Sequence, residues 1–113
     1  MVSIDAFRKL ALSFPKAVEQ AHFEKSSFRV EKKIFATLNE KECLVAMKLT
    51  PVDQSVFVDI SKGAIYPVPG KWGLSGYTYF QLNNVRKQLL IDALIISFCN
   101  VASKKLVEEF TNR

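Results

Sequence analysis

From Tyr66 to Tyr79 the chain reads Tyr66-Pro67-Val68-Pro69-Gly70-Lys71-Trp72-Gly73-Leu74-Ser75-Gly76-Tyr77-Thr78-Tyr79. This stretch gathers the only tryptophan, all three tyrosines, three of the four glycines and two of the four prolines. Trp and Tyr offer flat apolar faces with a polar tip, suited to stacking on a ring or a base. Gly and Pro predict an irregular loop that presents those rings. Strand alternation puts Tyr77 and Tyr79 on one face and Thr78 on the other. Beside Trp72 the two tyrosines would make a stacking platform; the same rings would also serve to pack the loop against a sheet edge.

Other chemistry finds little support. His22 is the only histidine, so a His-based metal site is excluded, and no nucleophile stands beside it in sequence. It reads as a hydrogen-bonded sheet-edge residue or as a group contacting an anionic ligand. The eleven acids are scattered, with Glu31, Glu40 and Glu42 in predicted turns, whereas acid–base catalysis needs placed carboxylates. Cys43 and Cys99 fall in apolar segments and read as core thiols, since reactive ones need an electropositive, partly exposed setting. Gly70-Lys71-Trp72-Gly73 is too short for a phosphate-binding P-loop. The expectation is no catalytic residue, no metal and no cofactor.

The net charge of +5 is localised. Between Lys62 and Lys105 stand Lys62, Lys71, Arg86, Lys87, Lys104 and Lys105 against one acid, Asp92, and this stretch carries the whole excess. Arg29, Lys32 and Lys33 add a second basic feature, diluted by Glu31. Basic groups interleaved with aromatics suit phosphates and bases, although a solvated basic face has the same composition.

These residues need elements to position them. Ser3 caps a helix with Phe7, Leu10, Ala11 and Phe14 at helical spacing, ended by Pro15. Phe28-Arg29-Val30 and Ile34 to Leu38 flank a charged Glu31-Lys32-Lys33 turn, predicting a hairpin that follows a segment starting near His22. After a turn over 39–42, Cys43, Val45, Met47 and Leu49 alternate as one face of a strand. Thr50-Pro51-Val52-Asp53 is a helix start, running to about Ile60, although Val56-Phe57-Val58 leaves a strand open. Tyr77 to Leu82 is a strand. Asn83 or Asn84 caps a long helix, and Ser103 caps a last one over Lys104 to Phe110. The fold class is α+β: one antiparallel sheet backed by helices, in the order helix, strands, short helix, strand or strands, two C-terminal helices.

A length of 113 residues predicts a single domain over 1–113 with its own core. Met1-Val2-Ser3-Ile4-Asp5 lacks a signal-peptide layout, and the apolar run Leu89 to Cys99 is too short to cross a bilayer. Reduced thiols and no membrane segment point to a cytoplasmic monomer.

Two blocks carry a family resemblance. His22-Phe23, Ser27 to Val30 and Lys33 to Leu38 form the first; Lys71-Trp72-Gly73 and Gly76 to Tyr79 form the second. Together with Ser97-Phe98 and Val101 to Leu106, they resemble the MmcQ/YjbR family over nearly the whole chain. The resemblance implies a frataxin-like (CyaY-like) fold and the family's customary label, DNA-binding, with β-hairpins likened to paired wings. It brings no catalytic residues. Ser103 stands where members often have Pro, and Tyr77 where Trp is common. An iron role, suggested by frataxin-like folds, lacks the acidic run it would need in the first helix. The leading expectation is a non-enzymatic module binding double-stranded DNA. Lys32, Lys33, Lys71, Arg86, Lys104 and Lys105 would meet phosphates, with Trp72 and Tyr79 stacking or wedging. The alternative is a pocket for a small anion or peptide, built from His22, Arg29, Trp72 and Tyr77.

Overall fold

The computed structural model describes residues 1–22 and 24–112, with His22 placed by its backbone alone. Helix α1 (Ile4–Leu12) begins where the Ser3 hydroxyl accepts from the Ala6 N–H at 3.0 Å, leaving one fewer orphan donor at the helix start. It buries Phe7 and Ala11. Four strands follow: β1 (Val18–His22), β2 (Lys25–Val30), β3 (Lys33–Asn39) and β4 (Leu44–Lys48). Then come α2 (Pro51–Ile60), β5 (Ile65–Pro67), α3 (Lys71–Leu74), β6 (Tyr77–Gln81), α4 (Lys87–Val101) and α5 (Lys104–Thr111). The strands make one antiparallel sheet in the order β1-β2-β3-β4-β6-β5.

The β2–β3 turn is shorter than expected. Glu31 and Lys32 both have positive φ, 51° and 71°, the signature of a two-residue hairpin turn matched to strand twist. Lys33 therefore opens β3 instead of belonging to the turn. Pairing slips between Phe28 and Arg29, from Phe28↔Ala36 to Arg29↔Ile34. This bulge leaves Phe35 as the extra residue. Phe35 turns into the core, 5.8 Å from Phe14 and 5.8 Å from Phe98 between ring centroids.

Alternation then sorts the sheet into two faces. Phe28, Ala36, Leu38, Val45, Met47, Thr78 and Phe80 face the core, where they meet Phe7, Ala11, Leu90, Leu94 and Phe98 from α1 and α4. Ser27, Thr37, Ala46, Tyr77 and Tyr79 face the other way. Four rings, Phe14, Phe35, Phe98 and Phe110, join the helical layer, with Phe14 and Phe110 stacked at 5.2 Å.

Several expectations need correction. The chain from Val18 to His22, before the expected first strand, is itself a strand, β1, which pairs with Lys25 to Arg29 of β2. The stretch from Tyr66 to Tyr79 is not irregular throughout: it holds the end of β5, all of α3 and the start of β6. Cys43 lies in the turn before β4 with φ 51°, outside the strand. Helix α4 begins after Arg86, not after Asn83 or Asn84. Asn84 instead folds back, donating its side-chain amide to Gln81 Oε1 at 2.7 Å. Caps at Ser3, Thr50 and Ser103 stand as expected.

Candidate functional site

Strand polarity decides which functional side chains share a location. At the hairpin end of the sheet β2 finishes, β3 begins, β4 finishes with Lys48 and β6 begins with Tyr77, its register partner. Helix α4 starts at the far end and returns its C-terminus to the hairpin end. There the Ser103 N–H donates to Glu31 Oε1 at 2.7 Å, joining residues 72 positions apart. The Glu31 carboxyl is held below the ordinary carboxylate range by this backbone donor and the Ser103 hydroxyl, helped by the charges of Lys16 and Lys33. So the tip of the β2–β3 hairpin, with Lys32 and Lys33, sits against the start of α5, with Lys104 and Lys105. All four lysines are exposed.

The segment from Val68 to Gly76 is anchored at the same end. The Val68 N–H donates to Tyr77 O, and the Leu49 N–H to Gly76 O. It carries Lys71 and Trp72, both exposed. Two glycines let it close. A Cβ on Gly73 would lie 1.8 Å from Val68 O, and one on Gly76 1.8 Å from Leu49 O. Only a residue without a Cβ fits either place. The buried Gln54 of α2 completes the clamp: its Nε2 donates to Gly73 O at 2.9 Å, Tyr77 O at 3.0 Å and Thr78 Oγ1 at 3.1 Å.

This clamp sets Trp72 edge-on to Tyr77, with centroids 5.2 Å apart and planes at 82°. Trp72 is nevertheless 65% exposed, too open to be chiefly a packing residue. Tyr66 and Tyr79 meet at 5.6 Å, and Lys48 Nζ stands 5.5 Å from the Tyr77 ring centre. Trp72, Tyr77 and Tyr79 wall a groove of about 470 Å³ on the open sheet face. Its floor is Thr37, Ala46 and Leu44; Lys25, Asn39 and Glu42 border the rest.

Of the residues expected to meet nucleic acid, Lys32, Lys33, Lys71, Trp72, Lys104 and Lys105 come to the hairpin end, and Tyr79 lies on the open face. Arg86 does not join them. It precedes α4 at the far end, where it lines a separate cleft with Lys62 and Asn84. Of the alternative pocket, Trp72 and Tyr77 meet in the groove. Arg29 is on the same face, its Nε donating to Ser27 Oγ at 3.0 Å, but it does not line the groove. The His22 side chain, and Phe23 beside it, lie outside the described residues.

Sequence reasoning missed Gln54, Lys48 and Lys25. Gln54 gave one faint signal, a polar residue three before the buried Phe57 on α2. The other two are ordinary strand-end lysines until the pairing is known. Burial pushes the Cys99 thiol up, away from thiolate chemistry. Among the described residues no three His, Cys, Asp or Glu side chains converge on a metal-sized site, and no helix is long and apolar enough to cross a membrane.

Together these features define an α+β protein with a single antiparallel sheet, helices on one face and an aromatic, lysine-edged groove on the other. No family model matches the chain, and no curated protein matches it significantly. Among solved structures it is similar to a Deinococcus radiodurans protein with a domain of the DUF419 family. The TM-score is 0.80 at 18% identity, over 98% of this chain and 89% of that one. At that identity the likeness establishes the fold alone.

Proposed function

We propose that this chain is a non-enzymatic nucleic-acid-binding module of the MmcQ/YjbR type. The observation that carries the reading is the Glu31–Ser103 contact, which joins Lys32 and Lys33 to Lys104 and Lys105, with Lys71 at the same end of the sheet. Clustered, solvent-facing lysines neutralise phosphates and release counterions, which favours association without sequence readout. A salt titration with a generic duplex tests it. Neutralising four to six phosphates predicts a log–log slope of about −3.5 to −5.5. No association at low salt, with the protein folded, would remove the reading. Equal affinity for heparin would reduce it to generic polyanion binding.

One observation favours a second reading. The groove volume of about 470 Å³ lies within the usual range for small-ligand clefts, roughly 300–1,000 Å³. With Lys48 above Tyr77 it would accept a flat anion. Screening small aromatic anions by Trp72 fluorescence tests that alternative.

A further inference from the structure

A surface that met only phosphates would have no use for an aromatic wall. Trp72 is held largely in solvent by a built support: two glycines that admit no side chain and the buried Gln54 clamp. The groove floor below it is low, formed by Ala46 and Thr37 beside the taller Tyr77 and Tyr79. A planar ring entering there meets the Tyr and Trp side chains, with Lys25 at the groove border and Lys48 Nζ beside the Tyr77 ring. Duplex DNA cannot supply that ring, because its base faces are stacked and only base edges reach the grooves. Unpaired bases expose their faces, and every base has one.

The charges around the groove also have a direction. Lys48 and Lys71 lie at the hairpin end with the four lysines there, while at the far end Lys25 and Glu42 border the groove with opposite charges. A phosphate backbone is thus favoured at the hairpin end, where the lysines gather. We infer that the protein binds single-stranded nucleic acid, with an unpaired base in the open-face groove against Trp72, Tyr77 and Tyr79 and the adjoining phosphates on the lysines of the hairpin end. The inference rests on the nucleic-acid reading above and adds which form of nucleic acid is bound and where its base goes.

Trp72 is the only tryptophan, so its emission reports stacking directly. The intact protein is titrated at low salt with oligothymidine, with an abasic oligonucleotide of the same length and with a duplex of equal phosphate count. The expected result is at least tenfold tighter binding to oligothymidine than to either other ligand, with Trp72 emission quenched by oligothymidine alone. Tyr79→Ala is expected to cost about five- to 150-fold against oligothymidine and nothing against duplex. The abasic comparison needs no variant and keeps the test decisive if Tyr79→Ala misfolds. Equal affinity for duplex or abasic strand overturns the inference and leaves the nucleic-acid reading standing. Thymidine monophosphate binding as tightly as the oligonucleotide overturns it in favour of the small-ligand pocket. No binding to any nucleic acid overturns both readings.

Discussion

At the residue scale the site depends on one side chain that supports and one that presents. Gln54 gives its amide hydrogens to three acceptors on α3 and β6. Removing it costs these bonds, although Gly73 O and Tyr77 O keep their backbone donors Gly76 N–H and Val68 N–H, at about 0.5–1.5 kcal/mol for a net hydrogen bond. Gln54→Ala is therefore expected to lower thermal stability by that amount and to blunt binding, read by melting and by the same titrations. Trp72→Ala should behave differently. Its ring is mostly in water and loses one edge contact with Tyr77, so the melting temperature should stay near the parent's while affinity falls by roughly 1–3 kcal/mol if a base stacks there. A large drop in melting temperature would make Trp72 structural instead. Trp72 was legible in the sequence because Gly and Pro surround it. Gln54 was not, because its partners arrive from 19 to 24 positions away.

At the element scale the legible parts were those whose causes are local. Ser3, Thr50 and Ser103 cap helices by reaching N–H groups three residues on, so type and spacing suffice. β1 and β5 escaped because edge strands need no alternation; Pro67, which has no N–H, ends one of them. α3 escaped because four residues make no periodic pattern, and its seat is made by Val68 O against Gly73. Gly73→Ala tests that seat. The new Cβ would have to displace a backbone carbonyl, an overpacking cost of about 1–3 kcal/mol, and binding should fall with stability. At Gly63 a Cβ meets nothing within 4 Å, but φ is 92°, so Gly63→Ala should cost only backbone strain and leave binding intact. Binding lost equally in both would show that α3 is not the support proposed.

At the scale of the whole molecule, pH and charge distribution are the levers. Arg8 of α1 holds Glu19 of β1 at 2.9 Å and Glu40 of the β3–β4 turn at 2.9 Å. Its hydrogen bond holds the Glu19 carboxyl below the ordinary value of 4.5, and Glu31 is lowered in the same direction by Ser103. A group depressed in the folded state contributes stability above its unfolded value, lost as pH falls through the folded one. The melting temperature should therefore be level near neutrality and fall below about pH 4.5. Glu19→Gln should start lower at neutral pH and flatten that fall. An unchanged acid limb would remove Glu19 from the account.

The basic stretch between Lys62 and Lys105 was visible as a number but not as a place. Only the crossing of α4 separates Arg86 from Lys104, and only the Glu31 contact brings Lys32 to it. The proposed nucleic-acid binding thus depends on where the lysines stand, not on net charge. It is tested most directly by comparing two charge reversals of equal size in a nucleic-acid titration at low salt. One variant carries Lys104→Glu and Lys105→Glu at the hairpin end; the other carries Lys62→Glu and Arg86→Glu at the far end. The account predicts that the first loses most of its affinity with a slope shallower by about 2, while the second keeps nearly all of both. Equal losses in the two variants would contradict it, because binding would then follow net charge alone.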